Sequence, residues 1–534
     1  MSRRSYTDWR LRRRDFFLTS TALASAASAQ TLRGGSAAVP SGMRLFFFDA
    51  ACLQEQSEVS LVPPPLEKLG PLLRGGSPSD KDGVSSAMGS FIMPLDSGGY
   101  RLYYTGIRRT PPGQSVCVAD SPDGVRWTKP KLGLRQIDGE KTNALFIEGL
   151  PPDSSAGQPS MVRLSDGRWR MYVWIGRSKP RILRYVAAES TDGLHWKAVN
   201  VDSPCLWHPL ELSPMGSWSW LDGPESRKAW DQSQHAAGDS FTALKGLRSN
   251  DAVHTYTNPA GGYEMFAVWA LPNRPGSGRR VEADNARAML RVRHRRTSED
   301  GLRWSDPELI LVPDGNDAWD QQFYYLAQHR MPVADRMDAL RIGFLGRYRV
   351  IDQDMDIEFV YSKDGREWHR PMRGAWLPRG PECSLDSTRI YMPSHLIDRG
   401  DHWLGLYSAA NVKHNMAREG GENTVHGVKI PRYRFAGLGS TSSLSARLWT
   451  KPFILPSPHL AIDAAIQGSL RAELCNAFGQ PLEGFSYAES IPISGDSPRH
   501  VLRWTQADYG DYQFDAVSLR LEWTRGVVYG AFGI

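Results

Sequence analysis

The chain has 534 residues, 41% of them hydrophobic and 23% charged, with 18 Trp, 19 Tyr, 18 Phe, 50 Gly and 36 Pro. Such a composition excludes a disordered chain and a small disulfide-framed one, and its aromatics and turn formers favour strands. The formal charge of +6 is concentrated at the start, where six Arg against Asp8 and Asp15 give the first 29 residues +4 and leave +2 for the rest. With no basic stretch able to track a phosphate backbone, nucleic acid is not an expected partner.

Residues 1–29 hold a basic region, then Arg13-Arg14-Asp15-Phe16-Phe17-Leu18, then a weakly apolar run ending Ala27-Ser28-Ala29. This order resembles a twin-arginine signal peptide and implies export to the periplasm or beyond. The run from Phe16 to Ala29 is shorter than the ~20 residues a membrane helix needs, and no later stretch approaches that length, so membrane insertion is not expected. Residues 30–43, with Gly34-Gly35-Ser36, read as a linker, and the folded part is predicted to begin at Arg44-Leu-Phe-Phe-Phe48.

Beyond that point a sequence S-x-D-G-x-x-W occurs four times, at Ser121–Trp127, Ser190–Trp196, Ser298–Trp304 and Ser362–Trp368. Asp-Gly supplies the positive φ of a tight turn, Ser or Asp bonds the turn backbone, and Trp packs the outgoing strand, so the motif is read as architecture. Its Asp residues are not catalytic candidates, because a turn repeated in every unit does not build one asymmetric site. Before each turn lies an aromatic, β-branched strand: Tyr100–Tyr104, Trp169–Trp174, Tyr263–Trp269 and Leu340–Phe344, with a fifth, Trp403–Tyr407, lacking the turn. Repeated strand pairs of this kind predict a five-bladed β-propeller over residues 44–440. A Gly- and Ser-rich boundary near 436–445 precedes short alternating strands, which predict a C-terminal β-sandwich over 441–534. The fold class is therefore all-β.

The five cysteines, Cys52, Cys117, Cys205, Cys383 and Cys475, are widely spaced, form no CxxC pair and are odd in number, so at least one thiol is unpaired and packing roles are expected. Histidines 254, 329, 395, 414 and 426 lack H-x-x-x-H or H-E-x-x-H spacing, and no Gly-rich phosphate loop or dinucleotide fingerprint is present, so neither a catalytic transition metal nor a cofactor is implied.

The S-x-D-G-x-x-W turns, the aromatic strand openings and the appended sandwich together resemble the five-bladed propeller glycoside hydrolases of the invertase, levanase and arabinanase kind. The last segment, from Gly468-Ser-Leu-Arg-Ala-Glu-Leu to Tyr529, looks like the sandwich of bacterial proteins labelled glycoside-hydrolase-like. The resemblance implies a carbohydrate ligand and acids at the funnel where the inner strands begin.

Three segments offer such acids: Arg248-Ser-Asn-Asp251-Ala-Val-His254, Asp317-Ala-Trp-Asp320-Gln-Gln-Phe-Tyr324 and Pro381-Glu382-Cys383-Ser-Leu-Asp386-Ser-Thr-Arg389. Pro-Glu-Cys is similar to the acid-bearing segment of invertase-type enzymes, which implies Glu382 as general acid, and Asp251 is similar to their transition-state-stabilising Asp. Asp320 and Asp386 are further funnel acids, while Trp319, Arg248, His254, Arg389 and Tyr324 are expected to contact the glycan. The family's first-blade acid is missing near Ser86–Phe91, with Asp49 and Asp82 as substitutes outside the family's Asn-Asp-Pro context. Glycosidic hydrolysis needs one protonated and one ionised carboxyl group. The expected function is an exported glycoside hydrolase; the alternative is a glycan-binding or scaffold propeller without the first-blade acid.

Overall fold

The computed structural model describes residues 44–534 apart from 76–83, 86–89, 109–112, 179–180, 208–251, 273–280, 282–283, 285–288, 332–339, 393–394, 415–420, 443, 456 and 506–511. Apart from one 3₁₀ turn at Ala50–Cys52, the regular elements among these residues are strands, and no helix is long and apolar enough to cross a membrane.

Five antiparallel meanders follow one another. Blade 1 contains Phe91–Pro94, Tyr100–Arg108 and Gly113–Ser121. Blade 2 runs Ser155–Arg163, Trp169–Ser178, Arg181–Ser190 and Trp196–Ala198, and blade 3 runs His254–Thr257, Tyr263–Pro272, Met289–Ser298 and Glu308–Leu311. Blade 4 is Gln321–Met331, Leu340–Arg349 and Asp354–Ser362. In blade 5 the inner strand is split into Arg389–Tyr391 and Leu396–Asp398, followed by His402–Ala410 and Asn423–Pro431, and Glu67–Arg74 from the start of the chain is its outer strand.

Five apolar clusters lie between neighbouring blades and close the ring. Tyr103 and Met171 meet between blades 1 and 2, Tyr172 and Met265 between 2 and 3, Phe266 and Phe323 between 3 and 4, Phe344 and Trp403 between 4 and 5, and Leu404 and Leu102 between 5 and 1. Each middle strand is covered on both faces, which is why Leu340–Arg349 is buried at nearly every position instead of alternating.

The repeated turn is the joint between these layers. In each copy the Ser Oγ accepts from the Gly amide at 2.8–2.9 Å and an Asp oxygen accepts from the two amides that follow Gly. The Gly residues have φ of 72–78°, and their turns seat on the preceding blade: Tyr103 Oη donates to Gly193 O at 2.8 Å and Tyr172 Oη to Gly301 O at 2.9 Å. In blade 4 the turn's Trp368 packs edge-on against Phe266 of blade 3.

The C-terminal sandwich is built on the long strand Leu460–Asn476. Its first half pairs with Gly526–Gly533 and its second with Ala516–Trp523. At the crossover Gly468 leaves no room for a side chain, because a Cβ there would lie 2.3 Å from Thr524 O. Ile462, Leu474, Leu519, Leu521 and Trp523 form the core between the two halves.

Residues 44–62, expected at the start of the propeller, instead supply Arg44–Phe46, Leu53–Ser57 and Val59–Val62 to this sandwich, pairing with Gly526–Gly533, Ala446–Thr450 and Gly437–Ser440. An alternating strand reads the same whichever sheet edge receives it, so its partner is not a local property. All five cysteines are free, four of them partly or fully buried and Cys383 exposed.

Candidate functional site at the propeller mouth

In every blade the first strand starts, the second ends and the third starts at the same end of the ring, here called the mouth. Blade 4 brings three acids there on Asp320, Asp354 and Asp356, and each meets an arginine. Arg349 lies 2.6 Å from Asp320, Arg379 lies 2.8 Å from Asp354, and Arg347 forks onto Asp356 with two 2.8 Å bonds. Burial raises the Asp354 carboxyl above its ordinary value against the opposing pull of Arg379.

Beside this row the loop from Gly380 to Asp386 enters blade 5. It is folded tightly: Gly380 N donates to Asp386 O at 3.0 Å, Ser384 N to Pro381 O at 3.1 Å, and Cys383 takes a φ of 69°. Only glycine fits at 380, since a Cβ would lie 1.9 Å from Asp386 Oδ1. Asp386 is the anchor, accepting from Lys68 Nζ at 2.8 Å, Ser384 Oγ at 2.8 Å and Tyr407 Oη at 3.1 Å. Burial opposes its charge, but these bonds outweigh it and hold the carboxyl below its usual range. The loop so held presents Glu382, exposed, to a cavity of roughly 440 Å³ lined also by Asp356, Pro378, Arg379, Gly380, Ser387 and Thr388.

A second polar group spans blades 3, 4 and 5. Arg291, buried, forks onto the buried Asp284 at 2.8 and 3.1 Å and donates to Gln322 Oε1 at 2.8 Å, while Tyr348 Oη donates to Asp284 Oδ1 at 3.1 Å. Burial alone would lower the Arg291 pKa, but Asp284 raises it, so the pair is ionic. Alongside, His414 Nε2 lies 3.0 Å from Tyr324 Oη, and its Nδ1 lies 3.3 Å from both Arg389 Nη1 and Tyr391 Oη. Burial, then Arg389 and Arg291, push the His414 pKa well below its ordinary value, so the ring is neutral.

The expected site residues are therefore distributed unevenly. Tyr324 and Arg389 meet at His414, and Glu382 lines the cavity. Trp319 is 57% exposed next to Asp320. Asp320 and Asp386 differ from the expectation of open funnel acids, because both are buried and bound to a cation, Arg349 and Lys68 respectively. His254, which opens the first strand of blade 3, differs from the expectation of an exposed glycan contact: it is 1% exposed and faces Tyr325 between blades 3 and 4, with a pKa lowered to about 3 by burial, Arg293 and His395. Asp49 caps the 3₁₀ turn and pairs with Lys363 at 2.7 Å, at the far end of blade 4's third strand, which rules out its substitution for the missing first-blade acid. Arg248, Asp251 and Asp82 lie outside the described residues. Asp284, Arg291, Tyr348, Tyr391 and His414 were not legible as a group, since they come from separate loops and strands without a shared motif. Among the described residues no three His, Cys, Asp or Glu side chains gather as a metal-ligand set.

No protein-family model matches the chain, and no curated protein matches it. Among solved structures it is similar to the N-acetylgalactosamine deacetylase of F. plautii, solved in complex with blood group B trisaccharide, at 16% identity over 71% of this chain and 97% of that one, with a TM-score of 0.43. A putative glycosidase from Bacteroides thetaiotaomicron shares 12% identity over 73% and 97% of the two chains with a TM-score of 0.37. A Dyadobacter fermentans protein of unknown function shares 12% over 86% and 100% with a TM-score of 0.36.

Proposed function

We propose that the chain is an exported carbohydrate-active enzyme, a glycoside hydrolase that takes a glycan at the propeller mouth and uses Glu382 as its general acid. One observation carries the reading: Glu382 and Asp356 line one cavity, the first without an ion pair among the described residues and the second paired with Arg347. Asp356 accepts both bonds of the Arg347 fork, whereas the exposed Glu382 carboxyl has no ion pair among the described residues and faces the cavity. Glycosidic hydrolysis requires two carboxyl groups, one that donates a proton and one that acts as the anion, and this pair is our assignment for them. The loop anchored by Asp386 gives Glu382 a defined position.

Glu382→Gln is expected to lower glycan hydrolysis about 10²- to 10⁴-fold with an unchanged melting temperature, because the residue is exposed and bonds nothing that holds the fold. Undiminished turnover in this variant removes Glu382 from the acid role. Export is checked separately, by fusing residues 1–29 to a reporter, and Arg13→Lys with Arg14→Lys should block its translocation.

A second reading is glycan binding without turnover. The observation favouring it is that Asp320 and Asp386 are tied to Arg349 and Lys68. Saturable glycan binding by the wild-type chain, with no reducing ends released and none restored by added phosphate, would select it.

A further inference from the structure

At the mouth side of blades 3, 4 and 5 four arginines have a carboxylate in contact: Arg291 with Asp284 at 2.8 Å, Arg347 with Asp356 at 2.8 Å, Arg349 with Asp320 at 2.6 Å and Arg379 with Asp354 at 2.8 Å. Arg389 differs from these four. It is 5% exposed and opens the inner strand of blade 5, directly after the cavity-lining Thr388. Its Nε donates to Val412 O at 2.8 Å, and its remaining partners are neutral and long: Tyr391 Oη at 3.5 Å, His414 Nδ1 at 3.3 Å and Asn423 Oδ1 at 3.5 Å. No carboxylate among the described residues neutralises it.

A guanidinium taken out of water without a counter-charge is costly, and the cost is offset when an anion completes the fork. Arginine suits a planar or tetrahedral oxyanion, which accepts two parallel N–H bonds. The neighbours of Arg389 fit the same guest. The hydroxyls of Tyr324 and Tyr391 converge on the same imidazole and can donate to an oxyanion. His414 joins the two hydroxyls to Arg389 without placing a carboxylate beside it.

We infer that Arg389, with His414 and the hydroxyls of Tyr324 and Tyr391, forms an oxyanion subsite that selects an acidic glycan, one carrying a sugar carboxylate or a sulfate ester. The inference rests on the proposed glycan function and adds the class of sugar to it. The group is a binding element and takes no part in proton transfer.

The test is binding to the full chain, followed by thermal shift and calorimetry, with galacturonate, galactose, inorganic sulfate and inorganic phosphate compared at constant ionic strength. Galacturonate or sulfate should raise the melting temperature where galactose does not, and Arg389→Gln should weaken that binding at least 10-fold. A response to galacturonate identifies a carboxylated sugar, and a response to sulfate a sulfated one. Should Arg389→Gln fail to fold, Tyr391→Phe, which removes one hydroxyl from the same group, should still weaken the binding. Equal responses to galacturonate and galactose, a response to phosphate alone, no response to any of the anions, or undiminished anion binding in the folded variants would each overturn the inference. The anion response is read as binding, without turnover, so a failure of the hydrolase reading leaves this result distinct.

Discussion

Lys68 Nζ lies 2.8 Å from Asp386 Oδ2, joining residues 318 positions apart. Lys68 belongs to Glu67–Arg74, the strand from the start of the chain that completes the last blade, and Asp386 anchors the loop carrying Glu382. The contact that helps close the ring therefore also holds the candidate acid's loop.

Lys68→Met should cost about 1–3 kcal/mol, because it leaves a buried carboxylate short of its cation, and urea unfolding would measure it. The Asp386 carboxyl is held below its usual 3.8 in the folded chain. Its stabilisation is present above about pH 4 and is lost as pH falls through the lower folded value. The gap between wild type and Lys68→Met should therefore narrow in acid; a gap independent of pH would count against the ion pair as its source.

Gly193→Ala should destabilise the chain by about 1–3 kcal/mol, since the site has a φ of 74° and a Cβ would lie 2.5 Å from Tyr103 Oη. Gly139→Ala is the control. Its φ of 79° imposes a similar backbone strain, but nothing lies within 4 Å of the added Cβ, so it should cost less. Equal melting temperatures for the two variants would show that the turn does not latch blade 2 to blade 1.

Asp463, in the sandwich strand Leu460–Asn476, is 1% exposed and meets Arg434 Nε at 2.7 Å and Arg44 at 3.9 Å. Burial raises its pKa to about 6, and the arginines only partly offset that. The folded chain thus binds a proton more tightly than the unfolded one, so this group should reduce stability as pH rises from about 4 to about 6, by up to about 3 kcal/mol. Comparing the pH dependence of unfolding in wild type and Asp463→Asn isolates the contribution; parallel curves across that window would contradict it.

Much of the propeller was legible because its signal is local and repeated. Ser, Asp and Gly bond within three residues in each copy, and Trp127, Trp196 and Trp368 do the same, so Ser121–Trp127 and its three copies announce their turns without reference to the rest of the chain. The aromatic strands were equally plain, though burial on both faces replaced the expected alternation. The partner of an edge strand was not plain, and Arg44–Val62 went to the sandwich.

The candidate site divides along the same line. Sequence by itself determined the all-β class, the repeated turns and the presence of acids before the inner strands, because those depend on backbone conformation and residue type over short spans. Only the tertiary structure decided which acids were neutralised. Arg349 reaches Asp320 across a strand pair and Lys68 reaches Asp386 from the other end of the chain, while Glu382 has no such partner among the described residues. It also decided that Arg389 has no carboxylate partner among the described residues and that His414 joins Tyr324 and Tyr391. Charge compensation is a sum over neighbours in space, and the blades bring those neighbours together from distant parts of the chain.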